Sequence, residues 1–526
     1  MKKIIIAILI VLLMVPAVFA QGNAPVKKEW TLMLYFVPDE KIEDNLIGNI
    51  NSIAKIGSGE NLNIVLMFDY ASNKPTTYYY IDKTGAKKIK ELAGETNMGD
   101  PQTFYDFMKF SMTNYPAERY SLIVNSHGSG WESFYGAGSL NSSAQDDSQI
   151  QINSAYARSP LDLSGAGVDV YRCIAYDDGA DCLTLKEIKK SIGMAMKNFN
   201  GGKKLEVFVA DACLFGMIEA AYELRDAVSV VMGSESTIPG NGLDYRAIAQ
   251  EMTRNPKISA QDLSKVIAKT FTSANSGDNI LVGIDTACIE PYAVAFSDLA
   301  QKLLAVKEKK SFQSVSNIGE VSKYSDIWNI MDCIISKKVS FVNDPKFTEI
   351  LNQASVVKEK QKACLAAFSA SGSFSKGFGG IAVYWPDKER YPKFRNLYKV
   401  LDYSKKFFWD EFLDNTLLGM TVQASASNVR DVNTNILGIV SDLDGAFSQI
   451  RRNPSAEVNL GGENESAKVE FLKKRVVEET VAQHKMGNRT AVHSVLKAVR
   501  NSSNIDTATK NKVIDELKKG VMADTK

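Results

Sequence analysis

Two continuous apolar runs, residues 30–37 and 62–68, each followed closely by an aspartate (Asp39 after Pro38, and Asp69), constrain this chain more than any other feature. Between them Leu46, Ile50, Ile53 and Ile56 recur at helical spacing. A strand that is apolar on both faces must be covered on both faces, and two such strands joined by an amphipathic helix form a β-α-β unit with parallel strands. The alternation continues. Strands are expected at 76–81, 120–124, 205–210, 228–233, 280–284 and 380–385, and helices at 102–113, 185–196, 214–224 and 292–304. This order predicts an α/β fold, a mainly parallel sheet flanked by helices on both faces and ending near residue 417.

Composition removes competing classes. The chain has 526 residues, 45% hydrophobic and 23% charged, which is the balance of a soluble globular protein with material for several domains. Its net charge of +1 supplies no field for nucleic acid, so no nucleic-acid partner is expected. Lys2 and Lys3, an apolar run from Ile4 to Val15 and small residues before Gln21 describe a cleavable secretory signal over residues 1–20, too short to span a bilayer. No second long apolar run follows. The expectation is a secreted or periplasmic protein with no stable membrane span after signal removal. Six cysteines in so long a chain are not a disulfide framework; only Cys173 and Cys182 are close enough for a local bridge.

Residues 21–419 form the expected main domain, and residues 420–526 a C-terminal helical region. In the latter, Val429, Val432, Ile436, Ile439, Leu443, Ala446 and Ile450 alternate spacings of three and four. Shorter amphipathic stretches follow at 469–481, 492–499 and 513–517. Such a tail either packs as a small bundle or serves as a partner-binding or oligomerisation helix.

Only three histidines exist, and His484 and His493 lie in the tail. The remaining one, His127, stands in Asn125-Ser126-His127-Gly128-Ser129-Gly130-Trp131 directly after a strand, where open α/β sheets place their chemistry. Gly128 lets backbone approach a substrate and offers an amide as hydrogen-bond donor. Cys213 ends the strand 205–210 in the same way, with a helix expected immediately after it, so that the helix dipole would favour a nucleophilic thiolate. Parallel strands would then carry base and nucleophile to one sheet edge. Thiolate attack on a carbonyl, a proton from His127 to the leaving amine and an oxyanion held by the amides of Gly128 and Cys213 make an acyl-transfer site. The plainer alternatives are a loop histidine and a small buried thiol.

At this point several segments together resemble the clostripain family of cysteine peptidases, within the caspase-like clan. They are Trp30-Thr-Leu-Met-Leu-Tyr-Phe36, Asn97-Met-Gly-Asp-Pro101, Tyr115-Pro-Ala117, His127-Gly-Ser-Gly-Trp131, Ile174-Ala-Tyr-Asp-Asp178 before Leu183-Thr184, Asp211-Ala-Cys213, Gly233-Ser-Glu235 through Pro239-Gly-Asn-Gly-Leu-Asp-Tyr245, and Tyr384-Trp-Pro386. Asn125-Ser126 departs from the pattern, which has an aromatic or aliphatic residue and Asp before the histidine.

The resemblance implies a caspase-like fold over residues 30–417, a Cys213/His127 dyad and cleavage after a basic residue. Its partners would be proteins or peptides bearing Arg or Lys. Asp211, two residues before Cys213 and on the same side of an extended strand, is the first candidate to hold that cation, and Asp244 the second. The alternatives are a helix cap and a turn residue. The polar stretch 132–170 suggests an exposed excursion where relatives are often cut for activation; Arg158 and Arg172 are its basic candidates. Some relatives depend on calcium, and Asp146-Asp147 and Asp177-Asp178 with Asp181 are acidic enough to bind it, but solvated loop carboxylates are commoner and no cofactor or metal site is assigned. A catalytically silent member acting as a surface or partner-binding protein is the competing reading.

Overall fold

The computed structural model describes residues 26–71, 74–94, 96–131, 174–176, 181–306, 317–318 and 321–420, together with 473, 476–477, 480–481, 495–496, 499–500, 502 and 505–522 of the C-terminal region. The expected signal segment, the excursion with Arg158 and Arg172, Cys173, the acidic pairs 146–147 and 177–178, and the heptads of 429–450 lie outside the described residues.

Nine strands form one sheet. In chain order they are β1 (Lys28–Phe36), β2 (Leu62–Phe68), β3 (Thr77–Asp82), β4 (Gly85–Glu91), β5 (Ala117–Asn125), β6 (Leu205–Asp211), β7 (Val228–Gly233), β8 (Ile280–Asp285) and β11 (Leu365–Ala370). Their spatial order is β11-β8-β7-β6-β5-β1-β2-β3-β4. The five central strands, β7 to β2, are parallel, as the buried apolar runs require. Both flanks are antiparallel: β8 on β7, β11 on β8, β3 on β2 and β4 on β3. The sheet is therefore mixed, because these outer strands return by short connections or from distant helices. The chain leaves β1 for β2 on one side and returns to β5 on the other, so the topological switch lies between β1 and β5.

Alternation in β1 divides the core. Met33, Tyr35 and Val37 face a layer built by α2 (Pro101–Asn114), α3 (Leu185–Phe199), α4 (Ile218–Leu224) and α7 (Ile289–Leu304). Trp30, Leu32, Leu34 and Phe36 face α1 (Glu43–Ala54), α5 (Tyr245–Arg254) and α6 (Ala260–Ala274). Local signals set the helix starts. Asp100 accepts from the Gln102 amide at 2.9 Å with Pro101 in the first turn of α2, and Thr184 and Glu187 close a capping box on α3.

A second, three-stranded sheet, β12-β10-β9 (Ala382–Tyr384, Val321–Asp326, Asn317–Ile318), packs beyond the carboxyl edge. Cys182 is disulfide-bonded, whereas Cys213, Cys288, Cys333 and Cys364 are free. In the tail, Val476, Val495, Val499, Ile505, Val513, Ile514 and Leu517 form an apolar cluster of their own, with a helix over Thr507–Met522.

The interior holds several carboxyl groups. Glu219 on α4 is fully buried; its Oε1 accepts from the Tyr384 amide and the Tyr398 hydroxyl, both at 2.8 Å. Burial pushes its pKa up to about 7, against the pull of those two donors. Asp326 is raised to about 6 by burial, and burial with the charge of Asp326 raises the facing Glu235. The folded state thus keeps a proton on Glu219 that the unfolded chain releases above its ordinary carboxyl range. Stability falls as pH rises from about 4.5 to about 7, by up to about 3 kcal/mol for this group. Glu219→Gln retains the oxygen and never ionises. Thermal melts should show the variant gaining on wild type between pH 5 and about pH 7 and the difference levelling off above that; a constant difference from pH 5 to pH 7 would refute the assignment.

Candidate active site

The site lies at the carboxyl ends of β5 and β6, next to the switch point. In the β5/β6 ladder Asn125 stands opposite Asp211, and the Asn125 amide nitrogen donates to Asp211 Oδ2 at 2.8 Å. Two residues further along each chain stand His127 and Cys213. Their segments touch directly: a Cβ on Gly128 would lie 2.5 Å from the Cys213 carbonyl oxygen and 2.8 Å from the Ala212 Cβ. Glycine is required there by contact. Gly130, at φ +81°, is equally enclosed by Met217, Tyr324 and Leu214. The small sheet supports the same loop, since the Tyr324 hydroxyl and Lys323 Nζ donate to the Ser129 carbonyl at 2.7 and 3.2 Å. Ser126, one of the two atypical residues, donates to the His127 carbonyl at 2.6 Å and accepts from the Ala175 amide at 2.7 Å.

Cys213 differs from expectation in its environment. No helix begins at Leu214. That residue adopts φ +64°, in the left-handed region, and α4 starts only at Ile218. A turn of four residues intervenes because Gly216 must pass against the backbone of Ser234 and Glu235, while Met217 bridges to Ala382. A dipole aimed at the thiol is therefore absent. The thiol is half-buried and accepts from the Ile238 amide at 3.3 Å; burial raises its pKa, reinforced by Asp211 and opposed by the amide. Among the described residues neither the Gly128 nor the Cys213 amide donates to a backbone carbonyl.

His127 has a partner that the sequence reading missed. Its Nε2 lies 2.8 Å from Oδ2 of Asp39, three residues beyond the end of β1. Burial works against the Asp39 charge, but the bond and charge of His127 and the amides of Lys41 and Ile42 outweigh it, holding the carboxyl below its ordinary range.

The two pocket candidates come from different segments: Asp211 ends β6, and Asp244 lies in the loop between β7 and α5. Asp211 is 1% exposed, and its Oδ2 accepts from Asn125, from the Leu243 amide at 3.2 Å and from the Tyr245 hydroxyl. Gly242, at φ +62°, packs on that oxygen where no Cβ would fit. Burial raises the Asp211 pKa while the three donors oppose it, and its Oδ1 is buried without a partner among the described residues. The expected open carboxylate is thus corrected: Asp211 faces inward and braces the 242–245 turn. Asp244 caps α5, its Oδ1 accepting from the Ala247 amide at 3.0 Å, and remains partly exposed. Asp181, from the acidic calcium candidates, accepts from Asn97 at 2.9 Å; among the described residues no group of three metal-ligating side chains occurs.

An open α/β sheet with histidine and cysteine loops side by side at the carboxyl ends of two central parallel strands is the architecture of a caspase-like fold. The chain belongs to the clostripain family, whose sequence profile matches residues 35–156 and 162–415. Clostripain of Hathewaya histolytica is 25% identical over 265 residues, 44% of this chain and 44% of that protein, so the aligned part spans under half of the relative's length. Among solved structures, a secreted C11 cysteine protease from Bacteroides thetaiotaomicron, in complex with an irreversible peptide inhibitor, superposes with a TM-score of 0.50 at 15% identity, covering 72% of this chain and 98% of that one. An inactive zymogen C11 protease from Parabacteroides distasonis gives 0.50 at 16%, covering 73% and 99%. At these identities the structures speak to the fold.

Proposed function

We propose that the chain is an exported cysteine endopeptidase that cleaves after Arg or Lys with Cys213 as nucleophile and His127 as proton carrier. The observation that carries the reading is the direct seating of Gly128 on the Cys213 backbone, which sets the segment bearing the only histidine of the α/β unit against the segment bearing a half-buried thiol. Because burial favours the neutral thiol, the thiolate forms by proton transfer to His127 during reaction and is not stored in the resting site. The sulfur adds to the scissile carbonyl carbon, and the oxyanion is met by the amides of Gly128 and Cys213. The imidazolium then gives its proton to the leaving amine as the C–N bond breaks, leaving a thioester. Water, deprotonated by His127, hydrolyses the thioester and restores the thiol.

For the basic preference we assign the direct contact to Asp244, with the inward Asp211 of β6 bracing the turn that carries it. The loop after β7 that bears Asp244 also carries Ile238, whose amide is on the sulfur. Export rests on the pattern of residues 1–20, and among the described residues no helix is long and apolar enough to cross a membrane. Self-processing after Arg158 or Arg172 is part of the proposal, since both match the proposed preference and lie in sequence between the His127 and Cys213 strands. The eventual pieces would share one sheet through the β5/β6 ladder and stay together.

One experiment tests these steps together. Wild type and Cys213→Ala are made in a peptidase-deficient host, incubated with a thiol-reactive peptide probe ending in Lys, and run on a denaturing gel with N-terminal sequencing. The expected wild type shows two bands, a new N-terminus after Arg or Lys between residues 132 and 180, and probe on the Cys213 fragment. The alanine variant stays whole and unlabelled. A Cys213→Ala chain cut at the same bond would end self-processing; an unlabelled wild type would favour the catalytically silent, partner-binding reading.

A further inference from the structure

We infer that Asp39 is a positioning residue for the reaction, holding His127 through Nε2 and so assigning Nδ1 to the exchange of protons with Cys213. The inference rests on the His127/Cys213 reading above and deepens it. Neighbouring strands deliver the contact. Phe36 of β1 stands opposite Asn125 of β5, and the Val37 amide donates to the Asn125 carbonyl at 2.9 Å, so the chain segments leaving the two strands start side by side. Asp39 is then fixed by its own turn: Oδ1 accepts from the amides of Lys41 and Ile42 at 3.0 and 3.1 Å, leaving Oδ2 at 2.8 Å from Nε2. One oxygen anchors the carboxylate and the other orients the ring.

The consequence for proton bookkeeping is specific. A neutral imidazole has one N–H, and a carboxylate acceptor places it on Nε2. The Nδ1 lone pair is thereby exposed as the base. When the thiol proton moves to Nδ1, the imidazolium keeps its Nε2–H on Asp39, and the Nδ1 proton later goes to the leaving amine. Asp39 takes no proton itself. The pair is only partly covered, with side-chain exposures of 38% for His127 and 35% for Asp39, so a peptide lying over the crevice would exclude water and strengthen it during reaction.

Asp39→Asn separates orientation from loop structure, because asparagine keeps an oxygen for the Lys41 and Ile42 amides and loses only the charge. In the full chain, kcat should fall by about tenfold to a hundredfold while KM changes less than about twofold. Nitrogen NMR of the chain carrying Cys213→Ala should show His127 with its proton on Nε2, and Asp39→Asn should move that proton toward Nδ1. With three histidines in the chain, a His127→Gln control assigns the signal. Unchanged kcat, or a loss of kcat matched by a lower melting temperature with the tautomer unmoved, would overturn the inference. Failure of the underlying reading would look different: turnover would survive Cys213→Ala.

Discussion

Cys213→Ala and His127→Ala are each expected to abolish peptide turnover, by on the order of ten-thousandfold or more, without unfolding the chain. The alanine at 213 removes one half-buried sulfur and its bond from the Ile238 amide, a loss the sheet tolerates. The alanine at 127 removes a partly exposed ring whose described polar partner is Asp39. Melting temperatures should therefore stay within about 4 °C of wild type. The double variant should be no slower than either single one, because two groups that act in one proton transfer fail together. Turnover near the wild-type rate in either variant would remove the dyad.

The second large effect concerns the residue before the scissile bond. Asp244→Asn should lose about tenfold to a hundredfold in kcat/KM for Arg and Lys peptides, with little change for the weak cleavage of neutral ones, since a desolvated cation loses its charged partner. The helix cap survives, as asparagine caps nearly as well as aspartate. Asp211→Asn should behave differently. Three donors converge on Oδ2, and an amide nitrogen turned toward any of them leaves buried groups unpaired, at a cost of about 1–3 kcal/mol. The expected result is a lower melt and a loss shared by all substrates. If instead Asp211→Asn alone erased the Arg preference at an unchanged melting temperature, the inward carboxylate would be the pocket. Equal wild-type cleavage after Leu and Arg would end the basic-pocket idea.

Much of the architecture was legible because buried parallel strands write themselves as unbroken apolar runs. The strands around 30–37, 62–68 and 205–210 were readable for this reason, and with them the placing of His127 and Cys213 at strand ends. The antiparallel flanks were not. Strand β11 follows directly from a long helix, Phe347–Cys364, and nothing in its own six residues says that it will lie against β8. Asp39 was missed for a related reason: its partner is 88 residues away, and only the β1/β5 pairing joins them. The helix boundary after Cys213 failed because a left-handed Leu214 is imposed by packing of the turn and has no sequence signal. Asp211 was placed on the correct strand but given an outward role, since alternation along a strand does not reveal that the 242–245 turn closes over it.

Leu214 has one more consequence. A leucine at φ +64° is held about 1–2 kcal/mol above its relaxed backbone state, and it stays there because its amide donates to the Ser236 carbonyl at 3.0 Å while the Ile238 amide engages the sulfur. Both acceptor and donor come from the loop after β7. The geometry that aims the thiol therefore comes into being only when β6 and β7 have paired and that loop has closed. A partly folded chain carries the same cysteine and histidine without that geometry, so under the proposed reading the sulfur becomes competent only once the sheet has closed.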